Sequence, residues 1–151
     1  MSIIILETCI QAPIERCFDL SLNIDMHTRS MSQTKECAVA GVTTGVMRLR
    51  DTITWEAVHF GIKQHLTSQI ILLERTHRFT DEMVRGAFKE LKHLHEFVSQ
   101  ENSTLMIDHF AFKSPLGFLG WMADKLVLGR YMRKLLVLIP QHIKQAAEAL
   151  L

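Results

Sequence analysis

Cysteine is scarce in this chain: Cys9, Cys17 and Cys37 are the only three. An odd number with no CxxC or other metal spacing argues against a disulfide framework and a cysteine-ligated zinc. It predicts buried, unpaired thiols in a reducing compartment. An excess of one charge is missing too: the formal net charge is +1, so there is no electrostatic case for nucleic acid. No apolar run reaches the ~20 residues that span a bilayer. The longest, "LGFLGWMADKLVLG", is broken by Asp124 and Lys125. The opening "MSIIILETC" lacks a basic leader and soon meets Glu7, so it does not read as a signal peptide, and a cytoplasmic location is expected. Glycine-rich phosphate loops and a helical HExxH are absent, so nucleotide cofactors have no support and no specific metal signature stands out.

What is present is an ordinary globular composition, with 48% hydrophobic and 22% charged residues over 151 positions. That is the size and balance of a single domain, 1–151, with its own core. "SIIILETCI" is β-branched and short, which suits a buried first strand. In "QAPIERCFDLSLN", Pro13 fits a helix start, and Ile14, Cys17, Phe18 and Leu22 recur at helical spacing. Asn23 and Asp25 then read as a break and a new cap for a short helix through about Met31.

From Lys35 to Lys113 the period changes to two. Strands are expected near 35–40, 51–60, 63–73, 78–86, 88–99 and 103–113, separated by Gly61, "ERTH", Gly86 and "SQENS". The gaps are too short for crossover helices, so the strands should form an antiparallel meander. After "KSP" the helical period returns. Leu116, Leu119, Ala123, Leu126, Val127, Tyr131, Leu135 and Leu138 trace one stripe, with Pro140 placed to bend that helix or end its first part. The fold class is α+β: one strand, two short helices, six strands and a long C-terminal helix.

"FKELKHLHEF" sets the functional question, because His93 and His95 share a strand face with Leu91 and Phe97. Sorting the other strands by polarity gives an inner set of Trp55, His59, Phe79, Asp81, Met83, His93, His95, Phe97, Met106, Asp108 and Phe110. Aromatic and thioether groups with a few polar ones are the mixture of a small-molecule pocket. A tight turn at Glu101–Asn102 would set His95 opposite Asp108 and His93 opposite Phe110. A turn centred on Ala87 would set Asp81 opposite His93. Two His–Asp pairs are therefore expected, each carboxylate fixing a tautomer and each imidazole offering a hydrogen bond to a ligand. The HxH pair could also face a metal, with Asp81, Asp108 or His59 as third ligand. Imidazole hydrogen bonding explains the same residues, so no metal is expected.

The stretches "APIERCFDLSLNIDMHT", "DTITWEAVHFG", "TDEMVRGAF", "HLHEF" and "TLMIDHFAFKSPLG" resemble, in order and over nearly the whole chain, the SRPBCC superfamily. It gathers START domains, pollen-allergen-like proteins and polyketide cyclase/dehydrase-like proteins, and the likeness is to a small bacterial branch. The resemblance implies a helix-grip fold: a curved antiparallel sheet of seven strands wrapped around the C-terminal helix, with a cavity between them. Arg48 and Arg50 stand where that branch commonly has small or glycine residues, and Thr76 where a turn proline is frequent.

Since carriers, receptors and cyclases share the fold, the expected function is binding, with transport left open, of a hydrophobic small molecule such as a lipid or polyketide. To the inner set the last helix would add Leu126, Arg130 and Tyr131. The alternative is a cyclase/aromatase- or dehydratase-type enzyme with His95 and Asp108 as the candidate catalytic pair. Basic residues on the last helix (Lys125, Arg130, Arg133, Lys134, Lys144), with Phe118 and Trp121 near its start, would allow transient contact with an anionic bilayer.

Overall fold

The computed structural model describes residues 1–114 and 127–149. Strand β1 (Ser2–Ile10) leads into helices α1 (Ile14–Ser21) and α2 (Ile24–Ser30) and a 3₁₀ turn at Ser32–Thr34. Strands β2 (Cys37–Gly41), β3 (Thr52–His59), β4 (Ile62–Glu74), β5 (Arg78–Arg85), β6 (Glu90–Ser99) and β7 (Thr104–Lys113) follow. Helices α3 (Gly129–Leu136) and α4 (Leu138–Ala149) complete the described chain. One seven-stranded antiparallel sheet runs β1-β7-β6-β5-β4-β3-β2. The meander from β2 to β7 is the expected one, and β1 closes it by pairing with β7.

Local chemistry places the boundaries. The Asn23 side chain accepts a hydrogen bond from the Met26 amide at 3.0 Å, capping α2 as its position predicted. Gly61 (φ +75°) turns β3 into β4. Arg50 holds φ +72°, the left-handed region glycine prefers. The Arg75–Thr76 peptide, in the β4–β5 turn, is cis. β4 carries register shifts at Thr67/Ser68 and Ile70/Leu72. Such bulges bend a strand and raise its twist, and here they curve the sheet around the helices.

Four expectations are corrected. β1 is an edge strand rather than a buried one: its odd positions face outward, leaving Ile3 63% exposed. Cys9 shares that outward parity and is exposed, Cys37 is half-buried, and Cys17 alone is fully buried. Val127 lies off the buried stripe at 61% exposure; the apolar face is carried by Leu135, Leu136, Ile139, Ile143 and Ala147. The break between the C-terminal helices falls at Val137, so Pro140 sits in the first turn of α4, where its missing N–H costs little. Leu116, Leu119, Ala123 and Leu126 lie outside the described residues.

The core gathers between the sheet's concave face and the helices. Phe18 of α1 packs edge-on against Phe79 and Phe97, at 5.7 and 5.2 Å between ring centroids. Ile10, Ile24, Ile53, Ile70 and Ile143 are almost completely buried around it.

Candidate ligand-binding site

Strand alternation puts His93 and His95 on the inner face of β6, Asp108 on the inner face of β7 and Asp81 on that of β5. The registers are those expected from the turns: His95 opposite Asp108, His93 opposite Phe110, Asp81 opposite His93. The side chains, however, meet mainly along diagonals. His93 Nε2 lies 3.1 Å from Asp108 Oδ1, and His95 Nε2 lies 3.4 Å from Asp81 Oδ2. The expected Asp81–His93 pair is not among the hydrogen bonds formed by the described residues, because sheet twist brings diagonal neighbours within reach of long side chains. His95 Nδ1 does approach Asp108 Oδ1 to 2.9 Å, but off the ring N–H direction. This is a charge contact, and it leaves His95 Nδ1 and Asp108 Oδ2 without a hydrogen bond among the described residues.

The result is one chain of groups, Asp81–His95–Asp108–His93, rather than two separate pairs. Ring stacking locks it: His93 on His95 at 3.7 Å and His95 on Phe79 at 4.2 Å, with Phe110 edge-on to His93 at 5.3 Å.

The environment splits the two histidines. Burial alone would disfavour the His95 imidazolium, but contact with Asp108 and Asp81 outweighs it and raises the pKa to about 9. For His93, burial and the neighbouring His95 charge win over Asp108 and lower the pKa, so this ring is neutral at pH 7. Burial opposes the ionisation of Asp108 and Asp81, yet the histidines hold both carboxyls below their ordinary value. At neutral pH the cluster thus holds two carboxylates, one imidazolium and one neutral imidazole.

A cavity of about 290 Å³ opens in front of these rings, near the lower end of the ~300–1,000 Å³ typical of ligand pockets. Phe79, Asp81, His93, His95 and Phe110 form one side of it, and Trp55, His59 and Tyr131 contribute elsewhere. His59 Nδ1 shares a 2.8 Å hydrogen bond with the Tyr131 hydroxyl; burial lowers the His59 pKa and keeps that ring neutral. Phe60 lines the cavity while 64% exposed, so the cavity reaches the surface at the β3–β4 turn.

The remaining expected residues stand elsewhere. Phe97 and Met106 point inward, but they are packed beneath α1, against Phe18 and the Ser21 hydroxyl. Asp108 sits behind the rings, towards Ile4, Leu136 and Pro140. Met83 is half-buried near Gly86, outside the lining, and Arg130 is exposed. Leu126 lies outside the described residues.

Sequence reading missed lining residues from helices and loops. His27 of α2 bonds Glu36 at 2.8 Å and packs on Trp55 at 4.4 Å between rings. Met26, Leu135, Ile139 and Ile143 bring apolar helix faces to the cavity. The four-residue spacing of Leu135, Ile139 and Ile143 was a readable signal. No local pattern marked His27 or Glu36.

Asp81, His93 and His95 each offer a ligand atom within 4.8 Å of the others. Their geometry does not suit a metal. The two imidazoles stack only 28° from parallel, so their in-plane lone pairs run side by side instead of converging, and both His95 nitrogens already face carboxylates.

Several solved structures share this architecture. The protein TTHA0849 of Thermus thermophilus is 18% identical, with a TM-score of 0.74 over 97% of this chain and 99% of its own. Ginseng major latex-like protein 151 from Panax ginseng is 12% identical, with a TM-score of 0.71 over 97% of each chain. A START superfamily protein of Mycobacterium smegmatis is 14% identical, with a TM-score of 0.71 over 95% of this chain and 98% of its own. Neither a protein-family model nor a curated protein matches the sequence. The chain has the helix-grip fold, the architecture of this START superfamily protein and of the ginseng major latex-like protein.

Proposed function

We propose that this chain acts as one domain that binds a hydrophobic small molecule, of the lipid or polyketide kind, in the cavity between sheet and C-terminal helices. The observation that carries the reading is a largely apolar cavity of about 290 Å³ with a buried His–Asp cluster at its wall. Apolar burial at about 25 cal/mol per Å² supplies the affinity, and the polar cluster sets orientation. Fold likeness to START and major latex-like proteins supports the general idea and does not choose the ligand. Native mass spectrometry of the protein purified from its own host tests it. A non-covalent adduct lost on activation is expected; a bare chain that also fails to take up a neutral solvatochromic dye refutes the reading.

A second reading, a cyclase- or dehydratase-type enzyme, draws on the hydrogen bond between Asp108 and His93. His95 is held as an imidazolium between two carboxylates and is poorly suited to accept a proton. His93 is neutral, oriented by Asp108 and beside the cavity, which is the arrangement of a general base. Turnover of a candidate polyketide that His93→Gln abolishes would favour this reading over simple carriage.

A further inference from the structure

The described cavity lining includes the carboxylates of Asp81 and Glu36 and contains no lysine or arginine. Glu36 is already bonded to His27 at 2.8 Å. Asp81 is different: one oxygen meets His95 at a long 3.4 Å, and its Oδ1 has no hydrogen bond among the described residues. Beside it stands His93, only 8% exposed. The Asp108 carboxylate can only accept, so the His93 proton sits on Nε2, and Nδ1 is left as a lone pair. That Nδ1 has no hydrogen bond among the described residues, and its ring lines the cavity.

The polar wall therefore presents acceptors, Asp81 Oδ1 and His93 Nδ1. The one cation of the cluster, His95, has both nitrogens turned towards carboxylates. Two carboxylates against one imidazolium leave one negative charge uncompensated. In a low-dielectric cavity that charge is costly unless a ligand answers it. A carboxylate- or phosphate-headed amphiphile would meet the same acceptors with repulsion. An alcohol would satisfy one hydrogen bond and leave the charge. The other polar groups of the described lining are Ser21, Gln64, Ser68, Ser114 and the neutral His59–Tyr131 pair, together with His27 and His65, whose Nε2 atoms are already turned to Glu36 and Glu56 at 2.8 Å.

We propose that the cavity selects an amphipathic ligand headed by a protonated amine, with the ammonium donating to Asp81 and His93 and the apolar body filling the remaining volume. The inference rests on the ligand-binding reading above and names the head group that reading leaves open.

The test compares decylamine, decanol and decanoate by isothermal titration at pH 7, below their micellar concentrations. Decylamine is expected to bind at least about tenfold more tightly than either of the others. Asp81→Asn should erase that preference, with circular dichroism confirming the fold. Equal binding of all three, or a preference for decanoate, overturns the amine assignment and leaves the cavity reading intact. Loss of the preference in Glu36→Gln but not in Asp81→Asn overturns the assignment to Asp81 and His93. Failure of all three to bind overturns both the amine proposal and the cavity reading. If Asp81→Asn does not fold, the three-ligand comparison on the unaltered protein decides by itself.

Discussion

Replacing Asp108 by Asn tests the electrostatic account of the cluster most directly. Asp108 is buried and touches both histidines, at 3.1 Å from His93 and 2.9 Å from His95. In the native protein, His95 is raised from 6.5 to about 9. At about 1.4 kcal/mol per pH unit, that rise is worth about 3 kcal/mol in favour of the imidazolium. Because the folded pKa is raised, this stabilisation is fully present below pH 6.5 and is lost as pH rises through about 9. Asp108→Asn leaves His95 with only the longer 3.4 Å contact to Asp81 against undiminished burial. The His95 midpoint, followed by NMR of the imidazole carbon-bound protons, should fall towards or below 6.5. Urea unfolding at pH 7 should show a loss of about 3–5 kcal/mol, the usual cost of breaking a buried pair. The gap between variant and native protein should narrow at pH 10, where the native protein has surrendered the His95 charge. A variant in which His95 still titrates near 9, or a gap that is unchanged from pH 7 to pH 10, would refute the coupling described here.

Four further outcomes follow from the structure. Stability should also fall on the acid side, because the depressed His93 resists protonation as pH drops below 6.5, and Asp81 and Asp108 are lowered from 3.8; a urea midpoint equal at pH 7 and pH 4 would contradict this. Phe18→Ala should cost about 3–5 kcal/mol, because Phe18 is buried between Phe79 and Phe97, whereas Phe60→Ala at the exposed turn should stay within about 0.5 kcal/mol; chemical denaturation separates them. Zinc should leave the melting temperature unchanged, since the stacked imidazoles do not converge on one point, and a dose-dependent rise in calorimetry would count against that geometry. Exposed Phe60 packs on Tyr131 of α3, where Arg130, Arg133 and Lys134 are also exposed. Co-sedimentation with vesicles containing anionic lipid should therefore exceed that with neutral vesicles, and indifference to lipid charge would remove the idea of bilayer contact.

Much of the framework was legible in the residue order. Period-two patterning gave the six later strands, and the turns at Ala87 and Glu101–Asn102 fixed registers that hold residue for residue around His93, His95 and Asp108. Inner-face parity was readable because backbone pleating alone sends alternate side chains to opposite sides. Depth along a strand was not readable. Phe97 and Met106 share the parity of His93 and His95, yet α1 docks over them and turns that stretch into core. Nor was β1 recognisable as an edge, because its β-branched run is compatible with a buried or an exposed position until its neighbours are known.

Sequence by itself therefore determined the order of elements, the strand registers and the set of groups that look inward, all consequences of local periodicity and turn length. Only tertiary structure decided which of those groups touch. Sheet twist moved the contacts onto diagonals, linking Asp81, His95, Asp108 and His93 into one chain, and contact with two carboxylates for His95 against a hydrogen bond to one for His93 then gave chemically identical, equally buried imidazoles opposite protonation. Distances between side chains on separate strands, and the water excluded around them, depend on how the sheet curves against α1, α3 and α4. No single stretch of sequence carries that information.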